Sequence, residues 1–333
     1  MNRGLPLLTR RSLLVGGAAS IAACSLPLDD ALTTTDTHPP GYPTVSAVER
    51  FGAILRERSD GRLKLKMYAG GQLGNERDTL EITTFGGLDF NRVNLAPLNS
   101  IEPLTVVLGL PFLFKSTQHL RAVLDGPIGE EILASMTRHG LVGLCYYDSG
   151  ARSFYNSRRP IRTPEDMNGL KLRVPNSDLY VGMINSLGAN ATPMPLAEVY
   201  QSLAQGVIDG AENNWPSYES GGHYEVARYY SLTRHLLAPE VFVMSKLSWD
   251  RLGVADRALV KAAARESVPY MRSLWDAQVE KSRRIVLASG DVEVNEVDPA
   301  PFAARMTGMW DTFVTTPDQR RLVEAIVAQG TRA

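Results

Sequence analysis

Two arginines lie where strands of an α/β protein end, and a guanidinium at such a position is suited to bind a carboxylate. Arg173 belongs to the segment LKLRVP, in which apolar and basic residues alternate as in a strand before a proline stops further pairing. The carboxyl ends of strands in an α/β sheet point to the usual ligand crevice, and the planar guanidinium offers a carboxylate two parallel hydrogen bonds. Arg152 follows a second predicted strand, LCYYD, and a Ser-Gly turn. Taken alone, an arginine at such a position more often forms a surface salt bridge than a ligand contact.

A second polar cluster lies in the segment DGAENNWPSY, residues 209–218. Glu212, Asn213 and Asn214 supply hydrogen-bond donors and acceptors, and Trp215 and Tyr218 present flat apolar faces. This mixture suits a sugar, which has hydroxyl edges and a C–H face. The same residues could instead form a turn and pack in the core, and these features alone do not separate the two interpretations.

Known catalytic and cofactor motifs are missing from the sequence. It contains no G-x-S-x-G, no H-E-x-x-H, no P-loop and no dinucleotide fingerprint, and its five histidines are scattered without a pair at metal-ligand spacing. These absences indicate no metal site and no cofactor, and they identify no catalytic residue. Two carboxylates that meet in space could still hydrolyse a glycoside, and the sequence does not exclude this.

Strands and helices alternate along the chain, which predicts an α/β protein with largely parallel sheets. The predicted helices cover about 45–60, 75–85, 178–187 and 196–205, and the predicted strands cover about 62–68, 89–96, 141–147 and 170–174. A further helical pattern over 256–289 would extend for about 50 Å, enough to lie across two lobes. Pro269 falls inside this pattern and should kink or break the helix.

The first 24 residues are typical of an export signal. Arg3, Arg10 and Arg11 precede an apolar stretch that is too short to span a bilayer, and the segment IAAC ending at Cys24 matches a lipobox, where cleavage precedes a cysteine that carries lipid. The arginine pair also resembles a twin-arginine signal. Alternatively, the signal is an ordinary secretory one and Cys24 is incidental. We expect a periplasmic protein that contacts the membrane only through a lipid anchor at Cys24.

The composition of the rest of the chain fits a soluble protein of two ordinary domains. Without residues 1–23, which hold three arginines and no acidic residue, 32 basic side chains stand against 36 acidic ones, a net charge of about −4. The sequence has no basic stripe, so we expect no nucleic-acid partner. Because Cys145 is the only cysteine besides Cys24, a disulfide scaffold is excluded and Cys145 is predicted to be an inert core residue.

The order of several sequence blocks resembles the extracytoplasmic solute receptors of TRAP transporters, the tripartite ATP-independent periplasmic uptake systems for organic acids. The blocks are QLGNERDTLE, GLDFNRVNLAPL, LPFLF, DSGAR with FYNSRRPI, GLKLRVPNS, LGANATPMPLAEVYQSL and GVIDGAENNWPSY. Each block is modest alone, but their order and spacing from about Thr37 to the C-terminus are specific. The resemblance implies a type II-like, two-lobe periplasmic-binding-protein fold of the α/β class, with a long helix bracing both lobes.

We expect the chain to divide into four parts. Residues 1–23 form a signal peptide and residues 24–36 a tether. Lobe I comprises 37–150 with about 239–275, and lobe II comprises 151–238 with about 276–333. The chain would then cross between the lobes more than once, which makes a hinge.

The resemblance also implies which residues contact a ligand in the cleft between the lobes. The hallmark arginine of the family, which forms a salt bridge with the ligand carboxylate, corresponds to Arg173, and Asn176 falls on a contact position of the same motif. The further contacts implied are Arg152, Asn213, Glu76 and Asn94, with His38 or Asp36 from the first loop and, with less support, Asn214 and Trp215. Many members have a phenylalanine where this chain has Leu196, which predicts a different wall and a different ligand shape.

Binding without chemical turnover, and delivery to membrane permease subunits, follow from the same resemblance. The segments DTHPPGYPT and WPSYESGGHYE resemble members that bind hexuronates such as glucuronate and galacturonate. Other organic acids remain alternative ligands. A hexuronate has one carboxylate for Arg173 and several hydroxyls for the amides. Two alternatives remain, a sensor subunit for a two-component kinase and an envelope enzyme that processes uronates. The enzyme would need a base poised near neutral pH, for which His38 is the one histidine at a matched position.

Overall fold

The computed structural model describes residues 31–331 of the chain. The predicted signal peptide and the predicted lipidation of Cys24 lie outside these residues. The strands are β1 (Leu32–Thr35), β2 (Leu65–Tyr68), β3 (Phe90–Asn94), β4 (Leu141–Tyr147), β5 (Ala151–Asn156), β6 (Lys171–Val174), β7 (Asn190–Pro193), β8 (Gly210–Asn213), β9 (Tyr229–Leu237), β10 (Glu240–Ser245) and β11 (Glu293–Glu296). The helices are α1 (Pro43–Arg58), α2 (Glu76–Thr84), α3 (Leu95–Leu98), α4 (Thr105–Leu108), α5 (Thr117–Leu124), α6 (Pro127–Ser135), α7 (Asp178–Ser186), α8 (Val199–Ala204), α9 (Trp215–Ser220), α10 (His223–Val226), α11 (Lys246–Arg251), α12 (Val254–Ala288), α13 (Pro299–Thr307), α14 (Trp310–Phe313) and α15 (Pro317–Gly330).

The strands form two sheets, and both are mixed. The first sheet has the order β2-β1-β3-β10-β4, and the second has the order β11-β9-β5-β8-β6-β7. In the first sheet β10 runs antiparallel to β3 and β4, and in the second β5 runs antiparallel to β8 and β9. The prediction of largely parallel sheets was therefore wrong in degree. The antiparallel strands are β5 and β10. The chain enters each of them directly from a strand of the other sheet, β5 from β4 and β10 from β9. The residue pattern of such a strand does not reveal the direction in which it runs.

The local patterns predicted most elements where the structure has them. The helix expected from about 45 is α1, and Asn75 begins α2 because its side-chain oxygen accepts hydrogen bonds from the backbone of Arg77 and Asp78. The strand at 141–147 is β4 with the predicted bounds. The helix expected over 196–205 begins as a 3-10 turn, Leu196–Glu198, and continues as α8.

The long helix α12 joins the two halves of the molecule. It packs against α1 and β4, which belong to the part of the chain around the first sheet, and against α9, which follows β8 of the second sheet. This packing fits the predicted bracing role. It continues through Pro269, so the helix is not broken there, and the alternative of a kink stays a prediction. Pro269 is exposed, and the backbone carbonyl that a proline leaves without a partner can therefore bond to water.

Two segments differ from the predicted domain boundaries. The predicted tether, 24–36, includes strand β1, which lies between β2 and β3 and is followed by the buried Asp36. Its threonines looked like a linker by polarity, but β-branched residues suit a buried strand, and Thr35 Oγ1 donates to the carbonyl of Tyr68 at 3.0 Å. Helix α15, assigned to lobe II, packs on α4 and α5, with Gln319 Nε2 donating to the carbonyl of Pro103 at 2.8 Å. The other lobe boundaries stay a prediction.

No helix between residues 31 and 331 is both long enough and apolar enough to cross a bilayer. Two short connections link the sheets: residues 148–150 join β4 to β5, and residues 238–239 join β9 to β10. These connections place the ends of strands from both sheets around one cavity.

Candidate functional site

A cavity between the two sheets is lined by residues of both. Its outer chamber has a volume of about 460 Å³, within the range of small-molecule sites, and a small inner chamber of about 30 Å³ shares part of its wall. The residues that line both chambers are Thr37, His38, Glu76, Arg173, Pro175, Leu196 and Ser217. The inner chamber is also lined by Asn94, Ser149, Arg152, Asn213 and Glu240.

The structure brings the main predicted residues together at this cavity. His38, Glu76 and Arg173 line both chambers, Asn94, Arg152 and Asn213 line the inner one, and Asn176 lines the outer one. Leu196, which stands where many relatives have a phenylalanine, also lines both chambers. Asn214 and Trp215, by contrast, do not line either chamber.

Those two residues have structural partners instead. Asn214 caps α9 by accepting from the backbone of Ser217 at 2.8 Å, and its Nδ2 donates to the carbonyl of Ser149 at 2.8 Å. The Trp215 ring packs 4.3 Å from the ring of Tyr230. The turn-and-packing interpretation therefore fits the contacts of this pair of residues, and a role for them in ligand binding stays a prediction.

Arg173 is a buried cation without a counter-ion among the described residues. It lies in β6 and is 5% exposed, and its Nε donates to the carbonyl of Met194 at 2.9 Å. Neither Nη atom has a hydrogen-bond partner within residues 31–331, and no carboxylate of that range forms a salt bridge with it. Burial lowers its pKa from the usual value, which reflects the cost of a buried charge. Arg173 thus lines the cavity with two Nη atoms that have no partner among the described residues.

Arg152 is held by Glu212 in a buried pair. Its Nε and Nη2 donate to the two carboxylate oxygens at 2.5 and 2.7 Å, and Nη2 also donates to the Glu212 backbone carbonyl at 2.9 Å. Burial raises the pKa of Glu212, but the charge and hydrogen bonds of Arg152 outweigh it and lower that pKa to about 2. Arg152 thus forms a salt bridge that is buried and not at the surface, and its role in ligand binding stays a prediction. Its Nη1 has no acceptor among the described residues.

On the side of the first sheet, one arginine binds three carboxylates, a group that we call the Arg92 cluster (Arg92, Asp36, Glu76 and Glu240). Arg92 lies in β3 with no exposed side-chain surface and donates to both oxygens of Asp36, from Nε at 2.9 Å and from Nη2. Its Nη1 donates to Glu240 at 2.6 Å and to Glu76 at 3.0 Å. Burial raises the pKa of Glu76, and Arg92 opposes this rise while the neighbouring carboxylates add to it.

His38 enters the cavity as a neutral ring. It stacks on Tyr42 with 3.8 Å between the ring centroids, and burial, helped by the charge of Arg92, lowers its pKa to about 3. Tyr42 in turn forms a hydrogen bond with Ser217, at 3.0 Å between the two oxygens. Because Tyr42 begins α1 and Ser217 lies in α9, this bond joins the two sides of the cavity.

Two of the predicted amides, Asn94 and Asn213, are partly committed to the backbone. Asn94 accepts from the backbone of Ala96 at 3.0 Å and donates to Glu240 at 3.1 Å. Asn213 accepts from the backbone of Asn214 at 2.9 Å, and its Nδ2 has no acceptor within the described chain. Asn213 therefore has a free donor at the inner chamber, whereas Asn94 mainly positions its neighbours.

Sequence reasoning missed several residues of the site. Arg92 is two residues from Asn94 in a strand, so the two side chains share a face, and this periodicity was a usable signal. Glu240 carried no such signal, because it joins the site from a position 148 residues beyond Arg92. His223 lines the outer chamber, accepts or donates at Nδ1 with the hydroxyl of Tyr155 at 2.7 Å, and has its pKa lowered to about 4 by burial and by Arg173.

Comparison with known proteins identifies the family. Residues 34–316 match the family described as bacterial extracellular solute-binding protein, family 7. The chain belongs to this family. A solute-binding protein of Chromohalobacter salexigens is 43% identical over 95% of both chains. The prediction of a TRAP receptor of the α/β binding-protein fold is confirmed, as is the expectation of a receptor rather than an enzyme.

Two solved structures are close to this one and contain sugar acids. A TRAP periplasmic solute-binding protein from a Bradyrhizobium species, in complex with galacturonate, is 51% identical with a TM-score of 0.88 and covers 90% of this chain and 99% of its own. Another, from Chromohalobacter salexigens with bound glucuronate, is 45% identical with a TM-score of 0.87 and the same coverage of both chains. This solute-binding protein therefore has the architecture of proteins that hold hexuronates.

Among the described residues, no group of three or more histidine, cysteine or acidic side chains is placed to hold a metal ion. The carboxylates that line the inner chamber, Glu76 and Glu240, form salt bridges with Arg92. The site therefore offers ionic pairing and hydrogen bonding to a solute.

Proposed function

We propose that this protein captures a hexuronate, galacturonate or glucuronate, outside the cytoplasm and delivers it to a TRAP permease. The observation that carries this proposal is the buried guanidinium of Arg173, which lines the cavity with two Nη atoms that have no partner among the described residues. A buried cation without a counter-ion is costly, and a ligand carboxylate would remove that cost while forming two charge-assisted hydrogen bonds.

The rest of the cavity suits the hydroxyl groups of the same ligand. Arg152 Nη1 and Asn213 Nδ2 offer donors from the second sheet. The carboxylates of Glu240, in β10, and Glu76, at the start of α2, offer acceptors. The structural relatives that hold galacturonate and glucuronate support this choice of acid. A ligand that contacts both sides would stabilise the form in which they meet, and this difference in affinity would drive closure of the two lobes.

Calorimetry with galacturonate and glucuronate tests the proposal. Wild-type protein should bind at least one of the two, and Arg173→Ala should lose affinity by about 30-fold or more, since truncating one side of a buried charge pair costs roughly 2–5 kcal/mol. Arg158→Ala is a matched control because Arg158 is exposed, pairs with Asp209 and lies outside the cavity. Equal affinities of the Arg173 variant and wild type would exclude the assignment of the anchor.

The export signal and the partner are part of the same proposal. We infer that residues 1–23 are removed, that Cys24 carries lipid and that the anchored receptor docks on two permease subunits. Mass spectrometry of the mature N-terminus would measure the lipid directly, and an unmodified Cys24 would contradict the anchor. Uptake of labelled hexuronate that depends on this protein and on a permease would separate a transport receptor from the sensor alternative.

A further inference from the structure

The inner chamber has opposite charges on its two sides. Arg173 and Arg152 enter it from strands of the second sheet. Glu240 enters it from β10 of the first sheet, and Glu76 enters it from the start of helix α2. On the second side Glu212 balances only one of the two arginines, because Arg173 has no acidic partner among the described residues. The chamber thus has an unpaired cation for an anion, and a separate group of carboxylates that we call its acidic end.

The acidic end has more negative charge than its arginine can balance. The single guanidinium of Arg92 is shared by Asp36, Glu76 and Glu240, and all three contacts are salt bridges. Burial raises the pKa of Glu76, and the charge of Glu240 adds to that rise, so this end of the chamber resists further negative charge.

Glu240 is the fixed acceptor at this end. It begins β10, its side chain is 5% exposed, and its two oxygens accept from Arg92 at 2.6 Å and from Asn94 at 3.1 Å. An ionised carboxylate has about four lone-pair sites, so two remain for a ligand hydroxyl. A second ligand carboxylate at the same place would meet a fixed, poorly solvated like charge.

We propose that Glu240, held by Arg92 and Asn94, selects acids whose far end bears hydroxyls and excludes diacids of the same length. This inference rests on the proposed function, because it assumes that the ligand carboxylate binds at Arg173. It adds a specificity-determining residue to the site and restricts the ligand class to monoanionic polyhydroxy acids.

The test compares a hexuronate with the corresponding hexarate, in which C1 is also a carboxylate. Calorimetry with galacturonate and galactarate gives the ratio of the two affinities for wild type, Glu240→Gln and Glu102→Gln. We expect wild type to prefer galacturonate and the Glu240 variant to shift the ratio toward galactarate by about tenfold or more, which corresponds to about 1.4 kcal/mol. Glu102 is a matched control, a fully buried carboxylate that pairs with Arg138 away from the cavity, and its variant should keep the wild-type ratio.

The outcomes separate this inference from the proposed function. If wild type binds galacturonate and galactarate equally, or if the Glu240→Gln ratio equals that of wild type, the inference is wrong while the receptor function stands. If wild type binds neither hexuronate, the proposed function fails and the inference with it. Should Glu240→Gln not fold, Glu76→Gln, which removes a partly exposed carboxylate of the same wall, must show the same shift in ratio.

Discussion

The buried pair of Arg152 and Glu212 should contribute a large, pH-dependent part of the stability, which Glu212→Gln would reveal. Both side chains are almost fully buried, and their nitrogens and oxygens meet at 2.5 and 2.7 Å. Although burial raises the pKa of Glu212, Arg152 lowers it from 4.5 to about 2. At about 1.4 kcal/mol for each pH unit, this difference corresponds to about 3 kcal/mol of unfolding free energy at neutral pH.

The pH dependence has a definite sign. Because the folded-state pKa of Glu212 lies below the unfolded value, its contribution is present above pH 4.5 and is lost as the pH falls toward 2. Urea unfolding of wild type and Glu212→Gln should therefore give the largest difference in free energy near neutral pH. The difference should shrink once the pH is below about 4.5.

An exposed pair supplies the control for this measurement. Glu165 pairs with Arg305 at the surface, and Glu165→Gln should leave the unfolding free energy nearly unchanged because solvent screens such pairs. A Glu212→Gln protein as stable as wild type near neutral pH would refute the reasoning. So would a difference that grows as the pH falls.

Three further predictions concern stability and reactivity. Arg92→Met, which leaves three carboxylates without their cation, should lower the unfolding free energy by about 3–5 kcal/mol, whereas Arg58→Met, which removes an exposed pair, should lower it by less than about 1 kcal/mol in the same urea titration. Gly150→Ala should lower it by about 1–3 kcal/mol, because Gly150 has a φ of 61° and a Cβ there would lie 2.9 Å from Nε1 of Trp275; unchanged stability would contradict this. Burial raises the pKa of Cys145 to about 12, so peptide mapping after iodoacetamide treatment should find it alkylated only in unfolded protein, and rapid labelling of folded protein would be the contrary result.

Much of the fold was predictable because the signals are local. Helix α1 follows from apolar residues at helical spacing, β4 from a short apolar run, and the start of α2 from the capping residue Asn75. The failures have the same origin. The strand β1 looked like a linker because its threonines are polar, and only its neighbours β2 and β3 bury it.

The candidate site divides in the same way. Arg173 could be singled out because strand alternation and the following proline are read within a few residues. Glu212 lies in the polar segment DGAENNWPSY, but that segment does not indicate its pairing with Arg152, which is 60 residues away. The sequence shows His223 only as one of five scattered histidines. Its hydrogen bond with Tyr155 and its place in the cavity wall depend on the tertiary structure.

By itself, the amino-acid sequence determined the family, the order of most helices and strands, and the cation that we propose as the carboxylate anchor, since each depends on residue types at short spacing. The tertiary structure alone decided which carboxylates share Arg92, how Arg152 is neutralised and which residues face the cavity. Those properties depend on contacts between strands far apart in the chain, such as β3 with β10 and β5 with β8, and no short-range pattern encodes which of these strands will pair.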